Sequence, residues 1–192
     1  MLSLALLVFV SACSDDDEPV REDTPELITK VILTFTPEGG GADVIATATD
    51  PDGVGLQNLT TDGPIELNAS TMYVLTIELL NELASPGSAA YNITEEVEEE
   101  GDEHMLFFSW TNNVFSDPAG NGNIDNRADA LNYDDEDVNS LPIGLTTSWT
   151  TSTPASGTFR VVLKHQPGLK SATSTVNDGE TDLDIDFDIN IQ

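Results

Sequence analysis

The residues best suited to chemistry in this chain are its two histidines, His104 and His165, and the carboxylates gathered beside the first of them. The stretch 92–108, NITEEVEEEGDEHMLFF, carries seven carboxylates and His104 before it turns into an apolar run. Glu100, Asp102, Glu103 and His104 offer carboxylate oxygen and imidazole nitrogen, donors that suit divalent metal ions. His165 closes a second apolar run and shares the phase of Phe159, Val161 and Leu163, as His104 shares that of Leu106, Phe108 and Trp110. If the rings meet, His104 and His165 with Glu103 or Glu100 form a site for zinc or copper, with metal–nitrogen distances of about 2.0 to 2.1 Å and ring nitrogens within about 4 Å of each other. Antiparallel neighbours are expected to carry the two strand ends to opposite edges of a sheet. Parallel strands, or strands in register from facing sheets, are expected to bring them together. The sequence does not choose, and the alternative is two unrelated histidines at strand ends.

The elements that must position these residues are short strands. Runs rich in Ile, Val, Thr and aromatic residues at 27–36, 42–49, 65–67, 72–80, 104–110, 145–150, 158–165 and 183–191 are separated by Gly, Pro, Asn and Asp. Asp50-Pro51-Asp52-Gly53 is a turn by its own chemistry. The last run alternates strictly: Leu183, Ile185, Phe187, Ile189 and Ile191 take one face, and Asp182, Asp184, Asp186, Asp188 and Asn190 the other. One face is therefore core and the other solvent, with the aspartates blunting edge pairing. The acidic stretch reads as a single short helical turn, capped by Thr94 and ended by Gly101. These signals predict an all-β fold, an antiparallel immunoglobulin-like β-sandwich of about seven or eight strands with one short acidic helical turn.

The long connection 117–139 holds two further oxygen sets. Asn121, Asn123 and Asp125, and again Asp135, Asp137 and Asn139, have the one-three-five spacing of a calcium loop. Neither set has the sixth-position glycine and the twelfth-position glutamate of an EF-hand, and a solvated loop is the alternative.

Catalysis has little support. No nucleophile motif surrounds either histidine, and the sequence contains no phosphate-cradling glycine loop, HExxH pair or cysteine-rich zinc pattern. The expectation is a non-catalytic protein, with a small hydrolase as the least favoured alternative. With 35 acidic residues against six basic ones, the net charge of -29 argues against nucleic acid as a partner.

The compartment is read from the start of the chain. Residues 1–10 form an apolar segment too short to span a bilayer, and they run into Val10-Ser11-Ala12-Cys13, the spacing of a lipobox. Residues 1–12 are thus expected to be a lipoprotein signal peptide, with Cys13 the lipidated residue. Residues 13–26 are expected to be an acidic tether and 27–192 the sandwich domain. Cys13 is the sole cysteine, so no internal disulfide can form.

An acidic run after a lipidated cysteine, Ser14-Asp15-Asp16-Asp17-Glu18 here, resembles the export signal of Bacteroidota surface lipoproteins. The succession GGGADVIATATDPDG, LTIELLNE, NITEEVEEEGDEHMLFF, PIGL, GTFRVVLKHQPGLK and GETDLDIDFDINI resembles a family of small flavobacterial lipoproteins often labelled type 1 periplasmic binding fold superfamily protein. The likeness covers nearly all of the chain after Cys13, and the loop 117–139 is enlarged relative to it. A periplasmic binding fold needs two doubly wound α/β lobes, for which this chain has neither the length nor the helices, so the expected fold stays a sandwich.

What the resemblance implies is an outer-membrane lipoprotein, facing the exterior or alternatively the periplasm. Its partners would be the membrane, through the lipid on Cys13, and an outer-membrane receptor to which it is a ligand- or metal-binding accessory. The donor sets described above, and not the resemblance, make zinc, copper or calcium the candidate ion. A structural module of the cell surface without ligand is the alternative function.

Overall fold

The structure is a computed structural model describing residues 26–53 and 59–192. The expected signal peptide, Cys13 and the tether as far as residue 25 lie outside the described residues.

Ten strands, among the described residues, form two sheets packed face to face. They are β1 (Lys30–Pro37), β2 (Val44–Thr49), β3 (Thr60–Thr61), β4 (Ile65–Leu67), β5 (Met72–Leu80), β6 (His104–Trp110), β7 (Phe115–Asp117), β8 (Thr146–Thr151), β9 (Ala155–His165) and β10 (Glu180–Ile191). One sheet has the order β3-β2-β1-β5-β8-β7 and the other β4-β10-β9-β6. The all-β sandwich expectation holds, with two short strands added, β3 and β7. Pairing is antiparallel except between β4 and β10, which run parallel from Ile65 opposite Ile189 to Leu67 opposite Ile191.

Alternation explains the core. Val31, Leu33 and Phe35 of β1 and Leu75, Ile77 and Leu79 of β5 point inward from the first sheet. From the second sheet Leu106, Phe108, Val161, Leu163, Leu183, Ile185 and Phe187 point back at them, all almost inaccessible to water. The centre is aromatic: Phe159 lies within 6.2 Å, centroid to centroid, of Phe35, Phe108, Phe115 and Trp149. Each such side chain contributes about 1.5 to 3 kcal/mol by leaving water.

Strand β6 breaks the alternation because it is covered on both sides. Met105 and Phe107, on its outer face, join Val162 in a second small cluster closed by Ile124, Tyr133 and Val176 from the two long connections. Tyr133 donates its hydroxyl to the Leu106 carbonyl at 2.7 Å, and burial pushes its phenol pKa up. The loop reaches the strand through Gly122, at φ +96°, where a Cβ would stand 2.0 Å from the Phe108 carbonyl oxygen. Only glycine fits there.

The acidic stretch forms the helix α1 (Ile93–Glu99). Ile93 and Val97, one turn apart, bury themselves against the core, so Glu96 and Glu100 fall beside the buried stripe. Thr94 is not the cap that the sequence suggested. Asn92 occupies that position, and the Thr94 hydroxyl exchanges hydrogen bonds with the Leu79 backbone, receiving from its N–H at 2.7 Å and donating to its carbonyl at 3.1 Å. This ties the helix across the end of the sandwich.

Candidate metal centre

β6 and β9 are antiparallel neighbours, and His104 lies directly opposite His165. This corrects the expectation drawn from the sequence. Reversing the direction of one strand sets the first residue of β6 beside the last residue of β9, at the same edge. Both side chains continue the inward phase of their strands, so the rings stand at the end of the core, where α1 and the segment before β1 close over them. They are stacked, with centroids 4.6 Å apart and planes 6° from parallel.

Carboxylates reach the pair from four directions. Glu26, held just ahead of β1, brings Oε1 to 3.4 Å from His104 Nε2. Asp182 Oδ2 is 4.0 Å from the same nitrogen. Glu103, in the turn before β6, brings Oε2 to 3.5 Å from His165 Nε2. Glu100, at the end of α1, forms a cluster with Glu103 and His165 in which one ligand atom from each lies within 4.8 Å of the others. Glu26, His104 and His165 form a second cluster within the same limit. Of the residues nominated as ligands from the sequence, Glu100, Glu103, His104 and His165 converge here. Asp102 is not in either cluster.

The backbone fixes the orientation of His104. Its Nδ1–H donates to the Glu100 carbonyl at 3.1 Å, which leaves the Nε2 lone pair for the carboxylate side. The Glu100 carbonyl also receives the Glu103 N–H at 2.8 Å, and the Glu103 carbonyl receives the Gln166 N–H at 2.6 Å. One carbonyl thus sets both the histidine and the turn that carries its neighbours.

His104 is fully buried and His165 is 5% exposed, yet the Nε2 of each ring makes no hydrogen bond. Nor do either oxygen of Asp182 or Oε2 of Glu26. Leaving such a group unsatisfied costs about 1 to 3 kcal/mol, more when it is charged. The protonation states show the crowding. Burial pushes the Asp182 carboxyl up to about 8, helped by the negative Glu26. Glu96 is raised by burial and by Glu26 and Glu100. Burial pushes His104 down, but Glu26, the Glu100 carbonyl and Asp182 outweigh it and leave the imidazole above its ordinary value. Burial likewise works against the Glu26 carboxylate, and the pairing with His104 brings it below the usual range. Two shallow clefts border the centre: one of about 190 Å³ lined by His165, Pro167, Leu169, Gly179 and Glu180, and one of about 340 Å³ that includes Glu96 and Glu100.

Two members were missed in the sequence. Glu26 was assigned to the tether, as the last acid before the first apolar run. Asp182 was assigned to the solvent face by strict alternation. The register shifts between Thr181 and Leu183, so Asp182 is the extra residue of a β-bulge and its side chain turns inward, fully covered. No local signal in either stretch points to the histidines.

The loop oxygens nominated for calcium have other partners. Asn121 Nδ2 donates to Asp125 Oδ2 at 2.9 Å, and buried Asn123 receives the Phe108 N–H and donates to Tyr133. Asp135 receives the N–H groups of Gly144 and Thr146. Asp137 receives those of Asn139 and Leu141 and pairs with Lys170. These bonds order the loop from within. No family model, curated protein or solved structure matches the chain.

Proposed function

We propose that this chain is a non-catalytic, surface-exposed outer-membrane lipoprotein that binds divalent metal between its two histidines and their carboxylates, as an accessory to an outer-membrane receptor. The observation that carries the metal reading is the pair of buried imidazoles whose Nε2 atoms make no hydrogen bond while facing carboxylates at 3.4 and 3.5 Å. Donor atoms bound tetrahedrally at about 2.0 to 2.1 Å stand roughly 3.3 Å from one another, close to those separations. A cation here would satisfy the unbonded atoms and offset the mutual repulsion of the acids. Mixed nitrogen and oxygen donors without a thiolate favour zinc or copper over calcium. The acidic surface, at a net charge of -29, raises the local concentration of cations. The lipoprotein part rests on the lipobox at Cys13 and the acidic run after it.

The test is elemental analysis of the purified full chain together with thermal melting before and after chelation. Bound zinc or copper and a melting point lowered by chelator are expected. A chain that takes up neither metal and melts identically with and without chelator removes the metal reading and leaves the structural module.

A further inference from the structure

The geometry points to a centre for two divalent ions side by side, one on Glu26, His104 and Asp182 and the other on Glu100, Glu103 and His165. This inference rests on the metal-binding reading and specifies its form.

An imidazole directs its Nε2 lone pair in the plane of the ring. Planes 6° from parallel and centroids 4.6 Å apart aim those lone pairs at two neighbouring points and not at one. A single ion about 2.0 to 2.1 Å from both nitrogens would need the rings to tilt out of the stack toward each other. The cross-strand register opposes this, since His104 and His165 are locked opposite each other and His104 is held by the Glu100 carbonyl.

The carboxylates divide the same way. His104 Nε2 has Glu26 at 3.4 Å and Asp182 at 4.0 Å. His165 Nε2 has Glu103 at 3.5 Å, and Glu100 belongs to that cluster. His104 thus has Glu26 and Asp182 beside it and His165 has Glu103 and Glu100, with Glu26 within reach of both rings. Glu26 also lies within 4.8 Å of the His165 ligand atom, which suits it to bridge the two ions. Paired ions in two-metal sites stand about 3.5 to 4 Å apart, comparable to the stack.

Independent support comes from covered polar atoms with no hydrogen bond on both halves: His104 Nε2 and the Asp182 oxygens on one, His165 Nε2 on the other.

The experiment is zinc stoichiometry of the full chain after equilibrium dialysis, with His104→Ala and His165→Ala in parallel. Two zinc ions per wild-type chain and one in each variant are expected. One zinc per wild-type chain, lost entirely from either variant, overturns the two-ion arrangement and leaves the metal reading standing. No zinc in wild type overturns both. Loss of both ions from either single variant overturns the division of ligands.

Cobalt(II) titration of wild type gives a measurement independent of variant folding. Neighbouring high-spin ions couple magnetically, so the electron paramagnetic resonance intensity per ion should fall as the second equivalent enters. Linear growth through two equivalents rules out adjacent ions.

Discussion

Lys170 Nζ stands 2.9 Å from Asp137 Oδ2, with each side chain 1% exposed, and also donates to the Gly101 carbonyl at 2.5 Å. This ion pair joins the two long connections to the corner between α1 and β6 that carries Glu100 and Glu103. Replacing Asp137→Asn leaves a covered ammonium without its counter-charge and should cost about 3 kcal/mol.

The cost should depend on pH. Burial pushes the Asp137 carboxyl up, but Lys170 and the N–H groups of Leu141 and Asn139 outweigh it and hold it below its ordinary value of 3.8. A depressed carboxylate contributes its full stability above the unfolded value and loses it as pH falls through the folded one. Lys170 has the opposite sense: burial lowers its pKa from 10.5, a cost at neutral pH that is relieved as pH rises toward that value. Urea unfolding from pH 7 to pH 3 should show the gap between wild type and Asp137→Asn narrowing below about pH 4, where the unfolded carboxylate begins to protonate. A gap that stays constant would falsify this assignment.

Phe187 is fully buried in β10, opposite Phe159 of β9. Phe187→Ala should destabilise the fold by about 3 to 5 kcal/mol. The denaturant midpoint measures it, and an unchanged midpoint would contradict the inward face of β10.

Gly179 turns the chain into β10 at φ +73°, where a Cβ would meet the His165 carbonyl oxygen at 2.0 Å. Gly179→Ala should displace the end of β9, weakening the zinc binding proposed above and costing about 1 to 3 kcal/mol in strain. Gly168 is the control, with φ +67° and nothing within 4 Å of its Cβ position. Calorimetric zinc titration of both variants separates the effects. Equal affinity in Gly179→Ala and Gly168→Ala would mean that the contact with His165 does not matter.

If Cys13 carries the proposed lipid, Cys13→Ser should abolish lipidation and move the protein from the detergent phase to the aqueous phase, because the acyl chains supply the membrane affinity. Retention in the detergent phase would contradict the lipoprotein proposal.

The sequence alone determined the local geometry. Strict alternation over 183–191 identified which side chains face the core, the turn at Asp50 to Gly53 formed as its residues dictate, and the phase of His104 and His165 put both rings on the inward side. These properties depend on neighbours a few residues away, where backbone periodicity acts. Tertiary structure decided the centre. Strand pairing set His104 against His165, the path before β1 delivered Glu26, and one inserted residue reversed the face of Asp182. Pairing is chosen by the burial of whole sheets, and a bulge shifts phase without changing the pattern of residue types, so neither is written in any short stretch of sequence.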